Sequence, residues 1–541
     1  MTTASPREQT PSSLALVLVT FLLLSALLLP FYRYELAPDA ISYLSIAEQY
    51  AAGYAKEAVN AYWGPLYSWC LAALLVLHAP GILAAKVIEI GAGALTLFAL
   101  HRISLRFDMA EGVRRAFLFV GAAMILGFVM EIDSPDLLFT AVLLLYLGII
   151  FDPAYPSSPF SGVLCGVLGA LAYFAKSYGF WFFAAHFFTF NTLHWFSQSN
   201  PVRRARILTQ FLAGLAVFCA ISFVWIMALH AKYGTWMLGT AGTFNHRLVG
   251  PQSEGYPHLR RLIPPPTEHA LTAWQDPSPS WLPSWTLESR SGLTHQVKLV
   301  SRNANRIVGF WIYATPLFAA FLLGYIVLCL DSRARQLEWI YPVSTLVLFS
   351  AGYLLITAQD RYFWLPDLLL LWIAFRSLDL LFQKHSVAVS ARVVLVWGVV
   401  LSFLFEPVLT LHAQFQRDKQ LYQWSESIKR SLPVQGRLAS CADWQDSAYL
   451  AYVLGMPYYG VPAPEPEADE VARDLNPDYR PFASSSNDLD HIPAILSAAR
   501  IDYFVVWPNC GPLSFGGAQT MAKAGDITVV RLNGGEGSLR R

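Results

Sequence analysis

Twelve apolar runs constrain this chain more than any other feature. They lie near 13–33, 63–79, 81–101, 116–130, 136–151, 160–176, 179–195, 208–230, 306–330, 339–356, 363–382 and 393–412. A bilayer core of about 30 Å takes ~20 apolar residues as a helix. Backbone in lipid must satisfy its own hydrogen bonds, so runs of this kind fold as helices rather than as open strands. Several runs are short of a full crossing, and the expectation is a polytopic α-helical membrane domain of about 11 to 13 spans. Composition agrees: 14% of the 541 residues are charged and mean hydropathy is +0.42, where soluble domains carry about 25% charged residues. A net charge of +1 leaves no basic excess for nucleic acid. The first run is followed by the bulky, charged "LLLPFYRYE", so it reads as an uncleaved first span and not as a leader peptide.

Two larger polar regions interrupt the pattern, 231–305 and 413–541. The first is rich in Pro, Ser and Trp, and its interleaved aromatics favour an ordered lid over a disordered tether. The second alternates helix and strand signals. A polar helix near 415–431 precedes the strand "GRLASCA" and the helix "DSAYLAYVLG", and "DLDHIPAILSAAR", "IDYFVVW" and "DITVVRL" follow. It reads as a small α/β domain without a Gly-rich phosphate loop. The domain reading is therefore 1–412 for the membrane part, with a first outer loop at 34–62, and 413–541 for the tail. Six cysteines form no metal-ligand pattern; Cys441 and Cys510 lie in the tail, paired or free as far as sequence goes.

Positive charge orients the chain. Arg102, Arg106, Arg114 and Arg115 cluster in one loop, and Arg203, Arg204 and Arg206 in another. Arg333 and Arg335 occupy a third, and Lys384 and Arg392 a fourth. These loops are assigned to the cytoplasm. The short loops 131–136, 176–178 and 357–362 then face outward, with only Lys176 and Arg361 as basic residues. The same rule puts 231–305 and the tail outside. If residues 34–62 are also outside, 63–101 must cross an odd number of times, yet it holds two apolar runs. The short 63–79 run, with its "WGPLY", is the candidate for a re-entrant or interfacial piece.

The outer face carries the residues that suggest chemistry. Pro38-Asp39 and Pro135-Asp136 each place a carboxylate in the first turn of a helix, where the dipole favours it. Alone, each is an ordinary helix start. Lys176 and Arg361 sit beside hydrocarbon, where a charge is costly unless it snorkels, faces a cavity or meets a partner. Together, two acids and two cations on one face match the needs of transfer from an anionic lipid. A carboxylate accepts the proton of an attacking hydroxyl, and a cation stabilises a departing phosphate. Lys86 and Glu89, spaced i and i+3, read as a mutually neutralising pair.

These residues carry a resemblance. "PDAISYLSIAEQYAAG" followed by "NAYWGPLYSW" resembles the first outer loop of polytopic GT-C glycosyltransferases, of the class that includes protein O-mannosyltransferases and the lipid A aminoarabinose transferase. "SPDLLFTAVLLL" is similar to their second acidic motif, "GVLGALAYFAKSYGF" to their span ending in Lys, and "DRYFWLPDLLLL" to their late Arg-Tyr-x-x-x-Pro segment. The resemblance covers roughly 13–412, in order. It implies a GT-C-like helical domain with an extracytoplasmic α/β tail in the cell (inner) membrane. It also implies inverting transfer from a polyprenyl-phosphate-sugar donor to a lipid, glycan or protein acceptor. By the same resemblance Asp39 is the essential carboxylate of the first loop, a base or an orienter of the acceptor hydroxyl, and Asp136 is the second acidic residue; Glu35, the nearest other acid, is added as a supporting catalytic candidate. Lys176, Arg361 and the adjacent Tyr362 would meet the donor phosphate. Many relatives carry adjacent acids in the first loop, whereas Ala40 follows Asp39 here, which leaves a divalent metal requirement open. The competing class is a polytopic transporter or lipid-linked sugar flippase, which should show internal repeats and midplane ionisable sites; no repeat is visible here.

Overall fold

The computed structural model describes residues 12–331, 338–433, 435–465, 467–480, 491–510 and 518–532. Arg333 and Arg335, used above for orientation, lie outside them. The membrane part opens with α1 (Ser12–Tyr32), α2 (Pro38–Ala51), α3 (Ala55–Ala58), α4 (Pro65–Val76), α5 (Gly81–Arg106) and α6 (Glu111–Glu131). It continues with α7 (Asp136–Ile150), α8 (Ser161–Ala175), α9 (Tyr178–Ser197), α10 (Pro201–Tyr233) and α11 (Ala241–Leu248). The last group is α12 (Arg290–Ala314), α13 (Phe318–Leu330), α14 (Ile340–Leu354), α15 (Trp364–Lys384) and α16 (Val389–Gln414).

The apolar runs are helical, but they are not twelve equal spans. Among the described residues five stretches are long and apolar enough to cross a bilayer: α1, α5, α6, α10 and the stretch beginning with α16. The run at 306–330 is not continuous. It divides into α12 and α13, bent by 87° at Thr315–Leu317, and would add a sixth span if taken as one. α7, α8 and α14 have 15 residues each, about 22 Å of helix, and pack against α5, α10 and α12 respectively. α15 is apolar on all sides and is buried from Trp364 to Leu380, as a helix surrounded by other helices must be. Its buried Arg376 is paired, with Nη1 2.7 Å from Asp379 Oδ2 and Nε 2.8 Å from Glu338 Oε1.

The parity problem at 63–101 resolves at α4. Its 12 residues are too short to cross. A Cβ at Gly64 would lie 2.4 Å from the Phe174 carbonyl at the end of α8, and a Cβ at Gly81 would collide with the Tyr452 hydroxyl of the tail. Both ends of α4 therefore stay at one end of the bundle, and α5 alone crosses.

The tail contains α17 (Lys419–Lys429), α18 (Trp444–Leu454), α19 (Ala468–Leu475) and α20 (Ile492–Ala498). Its sheet consists of β1 (Leu438–Ser440), β2 (Tyr503–Val506), β3 (Gln519–Ala524) and β4 (Ile527–Arg531), in the order β1-β2-β4-β3. β1 and β2 run parallel, and the β2/β4 and β3/β4 pairs are antiparallel. Cys441 and Cys510 are disulfide-bonded, tying the end of β1 to the segment after β2. The tail shares a core with the membrane part: Leu44 and Trp63 pack in one cluster with Trp274, Tyr449 and Leu450. The Tyr449 hydroxyl donates to the Tyr34 carbonyl at 2.8 Å.

α8, which ends at Lys176, is held by a close approach to α10. A Cβ at Gly166 would lie 2.2 Å from the Gly214 carbonyl, and one at Gly214 2.5 Å from the Gly162 carbonyl. Small residues allow this backbone contact. Gly166→Val should cost about 1–3 kcal/mol through overpacking and lower the melting temperature of purified protein. Gly91→Val, with nothing within 4 Å of the added Cβ, should leave the melting temperature unchanged.

Candidate active site

Four segments far apart in sequence deliver one charge each to the same end of the bundle. Pro38 starts α2 and puts Asp39 in its first turn. Pro135 precedes α7 and puts Asp136 in its first turn. α8 ends at Lys176, which is extended (φ −146°, ψ 135°), so its side chain leaves the gap between α8 and α9. Arg361 lies on the single turn Asp360–Phe363 that leads into the buried α15.

The charges alternate. Lys176 Nζ donates to Asp136 Oδ1. Asp136 Oδ2 accepts from Ser134 Oγ at 2.9 Å and lies 3.9 Å from Arg361 Nε. Arg361 Nη2 donates to Asp39 Oδ2. The other Asp39 oxygen accepts from the Trp274 indole N–H at 2.8 Å. The Tyr362 ring lies under the ammonium of Lys176, 3.8 Å from Nζ to the ring centre, a cation–π contact. Tyr362 thus holds Lys176 by its ring face and lines the same cavity as that lysine.

Asp39, Asp136, Lys176, Arg361 and Tyr362 line one cavity of about 670 Å³. One side of it reaches Trp181 of α9 and Leu355 beyond α14, 63% and 51% exposed, on the apolar flank of the bundle. The 231–305 region is ordered and forms another wall through α11. It is latched to α2 and its flank. Ser45 Oγ donates to Gln275 Oε1 at 2.6 Å, Asn60 Nδ2 to the Gln275 carbonyl at 2.6 Å, and the Trp63 indole to the Trp274 carbonyl at 3.1 Å.

Burial alone would raise the Asp39 carboxyl. The Arg361 charge, the Trp274 hydrogen bond and Lys176 outweigh it and hold Asp39 below the usual carboxylate range. Asp39 is therefore ionised at neutral pH. Burial lowers the Lys176 ammonium, Asp136 opposes that, and Arg361 reinforces it, leaving Lys176 below an ordinary lysine. Burial pushes the Tyr362 phenol up to about 12.

Glu35 is placed elsewhere. It is 3% exposed, does not line the cavity, and lies 3.9 Å from Lys86 Nζ. Burial pushes its carboxyl up to about 8, with Lys86 opposing and Asp133 adding to the rise. Lys86 pairs with Asp133 at 2.9 Å rather than with Glu89. Glu89 Oε1 instead accepts the Ser134 backbone N–H at 3.1 Å, and Ser134 bonds Asp136. Behind the cavity, then, a second buried cluster fixes the turn that presents Asp136.

The residues missed by sequence reasoning are Trp274, Ser134 and Glu89. The aromatic density of the lid was the only signal for Trp274, and it did not single out that tryptophan. Among the described residues no three His, Cys, Asp or Glu side chains converge as a metal-binding set; both cavity carboxylates face cations.

This architecture has the GT-C fold. The chain is similar to a crystal structure of ArnT from Cupriavidus metallidurans bound to undecaprenyl phosphate, with a TM-score of 0.57, 12% identity, and 95% of this chain and 97% of that one covered. For the same protein in the apo state the values are 0.55, 14%, 96% and 98%. A cryo-EM structure of a mutant arabinofuranosyltransferase AftD from Mycobacteria matches 96% of this chain and 41% of its own, with TM-score 0.50 and 14% identity. No family model and no curated protein matches the sequence.

The latch gives a structural test. Trp274→Phe with Gln275→Ala removes three side-chain hydrogen bonds, to Asp39, from Ser45 and from the Leu271 backbone N–H, each worth about 0.5–1.5 kcal/mol. Limited proteolysis within 249–289 should accelerate about tenfold, with the melting temperature of the membrane part retained.

Proposed function

We propose that this chain is an integral membrane glycosyltransferase. It moves a sugar from a polyprenyl-phosphate-linked donor to a hydroxyl or amine of a lipid, glycan or protein acceptor, with inversion. The observation that carries the proposal is the run Asp39–Arg361–Asp136–Lys176 in one cavity with an apolar flank. The fold shared with the ArnT structure bound to undecaprenyl phosphate supports the donor class.

The chemistry follows from charge. The acceptor oxygen or nitrogen forms a bond to the anomeric carbon as the bond from that carbon to the phosphate oxygen breaks. The acceptor proton passes to Asp39, and the electron pair leaves with the phosphate, which gains a negative charge. Arg361 and Lys176 are the cations available to that charge, and preorganised cations act most strongly in a site shielded from water. Arg361 and Trp274 hold both oxygens of Asp39; a phosphate draws Arg361 toward itself and leaves an oxygen for the incoming proton. Asp136 keeps Lys176 oriented, Tyr362 supports Lys176, and Glu89 positions Asp136 through Ser134. Glu35 has no contact with this path, and its proposed place is in the support of Lys86.

The site end is assigned to the extracytoplasmic face of the cell membrane. The bias of basic loops to the opposite end supports this, as does the Cys441–Cys510 disulfide, a bond of oxidising compartments. Residues 1–412 form the proposed catalytic domain and 413–541 the domain that closes it.

Reconstitution with a panel of polyprenyl-phosphate sugars, reading released polyprenyl phosphate, tests the reaction. Asp39→Asn should lower kcat by about 10²–10⁴-fold, the range for a general base, while retaining donor binding. Full turnover in this variant would overturn the role of Asp39. Arg361→Ala should weaken binding of polyprenyl phosphate; equal affinity would remove the phosphate contact. The pH dependence has a definite sign. Lys176 loses its proton at lower pH than an ordinary lysine, so polyprenyl phosphate affinity should decline as pH rises through that lowered value. Lys176→Arg should abolish this alkaline decline.

A further inference from the structure

A second cavity of about 450 Å³ lies at the same end of the bundle and shares no lining residue with the Asp39 cavity. It is enclosed by the end of α1, the head of α5 and the tail helices α17 and α18. Four ionisable side chains on three sides face it. Arg33 follows directly on α1, Glu48 comes from α2, and Glu426 and Lys429 stand one turn apart on α17. Among the described residues Arg33, Glu426 and Lys429 form no ion pair with protein. The Tyr34 and Tyr422 rings lie 5.4 Å apart, the Arg33 guanidinium sits 5.0 Å from the Tyr34 ring centre, and the Tyr452 hydroxyl donates to Glu48 Oε1 at 3.2 Å.

The level of this cavity is set by its neighbours. Arg33 is the first charge after an apolar span, and Leu27 of α1 and Leu83 and Val87 of α5 are exposed just below. An opening bordered by lipid-facing side chains, with cations and tyrosines at its rim, matches the headgroup layer of a bilayer. Its charge is balanced, two cations against two carboxylates. A purely anionic headgroup would meet both carboxylates, whereas a ligand with both signs satisfies all four groups. Carboxylates accept hydrogen bonds from a primary ammonium, which a quaternary amine cannot donate.

We propose that this cavity binds the headgroup of a membrane phospholipid bearing phosphoethanolamine. The phosphate meets Arg33 and Lys429, and the ammonium meets Glu48 and Glu426. The lipid would bridge α1 and α5 to α17 and so fix the tail on the bundle. This inference does not depend on the transfer reaction.

The test is native mass spectrometry of the delipidated full chain, titrated with phosphatidylethanolamine, phosphatidylcholine and phosphatidylglycerol of the same acyl composition. Soluble phosphoethanolamine serves as competitor. Phosphatidylethanolamine should bind about three- to tenfold more tightly than the other two, the scale of one or two partly exposed ion pairs. Lys429→Gln should weaken phosphatidylethanolamine and phosphatidylglycerol alike. Glu426→Gln should erase the preference over phosphatidylcholine and strengthen phosphatidylglycerol. Both substitutions are on the open side of α17, and an unchanged melting temperature without lipid checks the fold. Equal binding of the three lipids, or a preference unmoved by both variants, overturns the proposal. Displacement of the lipid by an equal concentration of soluble phosphoethanolamine overturns the lipid assignment in favour of a soluble ligand.

Discussion

Everything at the cavity end of this protein depends on how four charges are kept at the border of a hydrocarbon layer. A lone carboxylate or ammonium there would be strongly penalised. Alternation solves the problem: each acid touches a cation, and each cation touches an acid, along Asp39, Arg361, Asp136 and Lys176. No two of the four come from the same helix. The chain must therefore bring α2, α7, the end of α8 and the turn before α15 to one place, and the packing of the bundle follows that need. The glycine contact of α8 with α10 sets where Lys176 emerges, and the buried α15 sets where Arg361 emerges.

The lid and the tail belong to the same construction. Trp274 supplies the hydrogen bond that Arg361 leaves unfilled on Asp39, and the latch at Gln275 keeps that indole in place. The tail packs on α2 from the other side through Tyr449 and Leu450. The helix carrying Asp39 is thus clamped between two polar regions, 231–305 and 413–541, that the last membrane helices separate in sequence. An acid on a helix start is common, but one fixed this firmly in its rotamer is suited to a single directional task.

Much of this was legible in the sequence, for physical reasons that differ between elements. Helices in lipid announce themselves by composition, so α1, α5, α6, α10 and α16 were visible. The two proline-acid starts and the two isolated cations were visible because the surrounding chain is so poor in charge. Other features depended on tertiary placement. That α4 turns back, and that α12 and α13 break, is decided by packing around "WGPLY" and at Thr315–Leu317, since apolarity alone does not fix direction. Lys86 was read as the partner of Glu89 because i,i+3 spacing favours it; the loop residue Asp133 took that partner instead, being buried against the same helix face. β3 was missed because "QTMAKA" lacks the β-branched signal that marked β4, and it owes its strand form to pairing with β4. Trp274 is one tryptophan among several, and only its hydrogen bond to the Asp39 carboxylate, a tertiary contact, distinguishes it.

The double engagement of Asp39 has a consequence for kinetic order and for side reactions. With the guanidinium on one oxygen and the indole on the other, the carboxylate is a poor proton acceptor for any molecule that arrives first. A water molecule entering the cavity would meet a carboxylate already held by both partners rather than a free one. Under the proposed function, basicity would be released by the anionic group of the donor itself as it recruits Arg361. In the proposed reaction, such an arrangement would make the sugar carrier the leading substrate and confine activation of the nucleophile to the ternary complex. The same ion pair that lets a charge survive beside lipid would then guard an energy-rich lipid-linked sugar against wasteful hydrolysis.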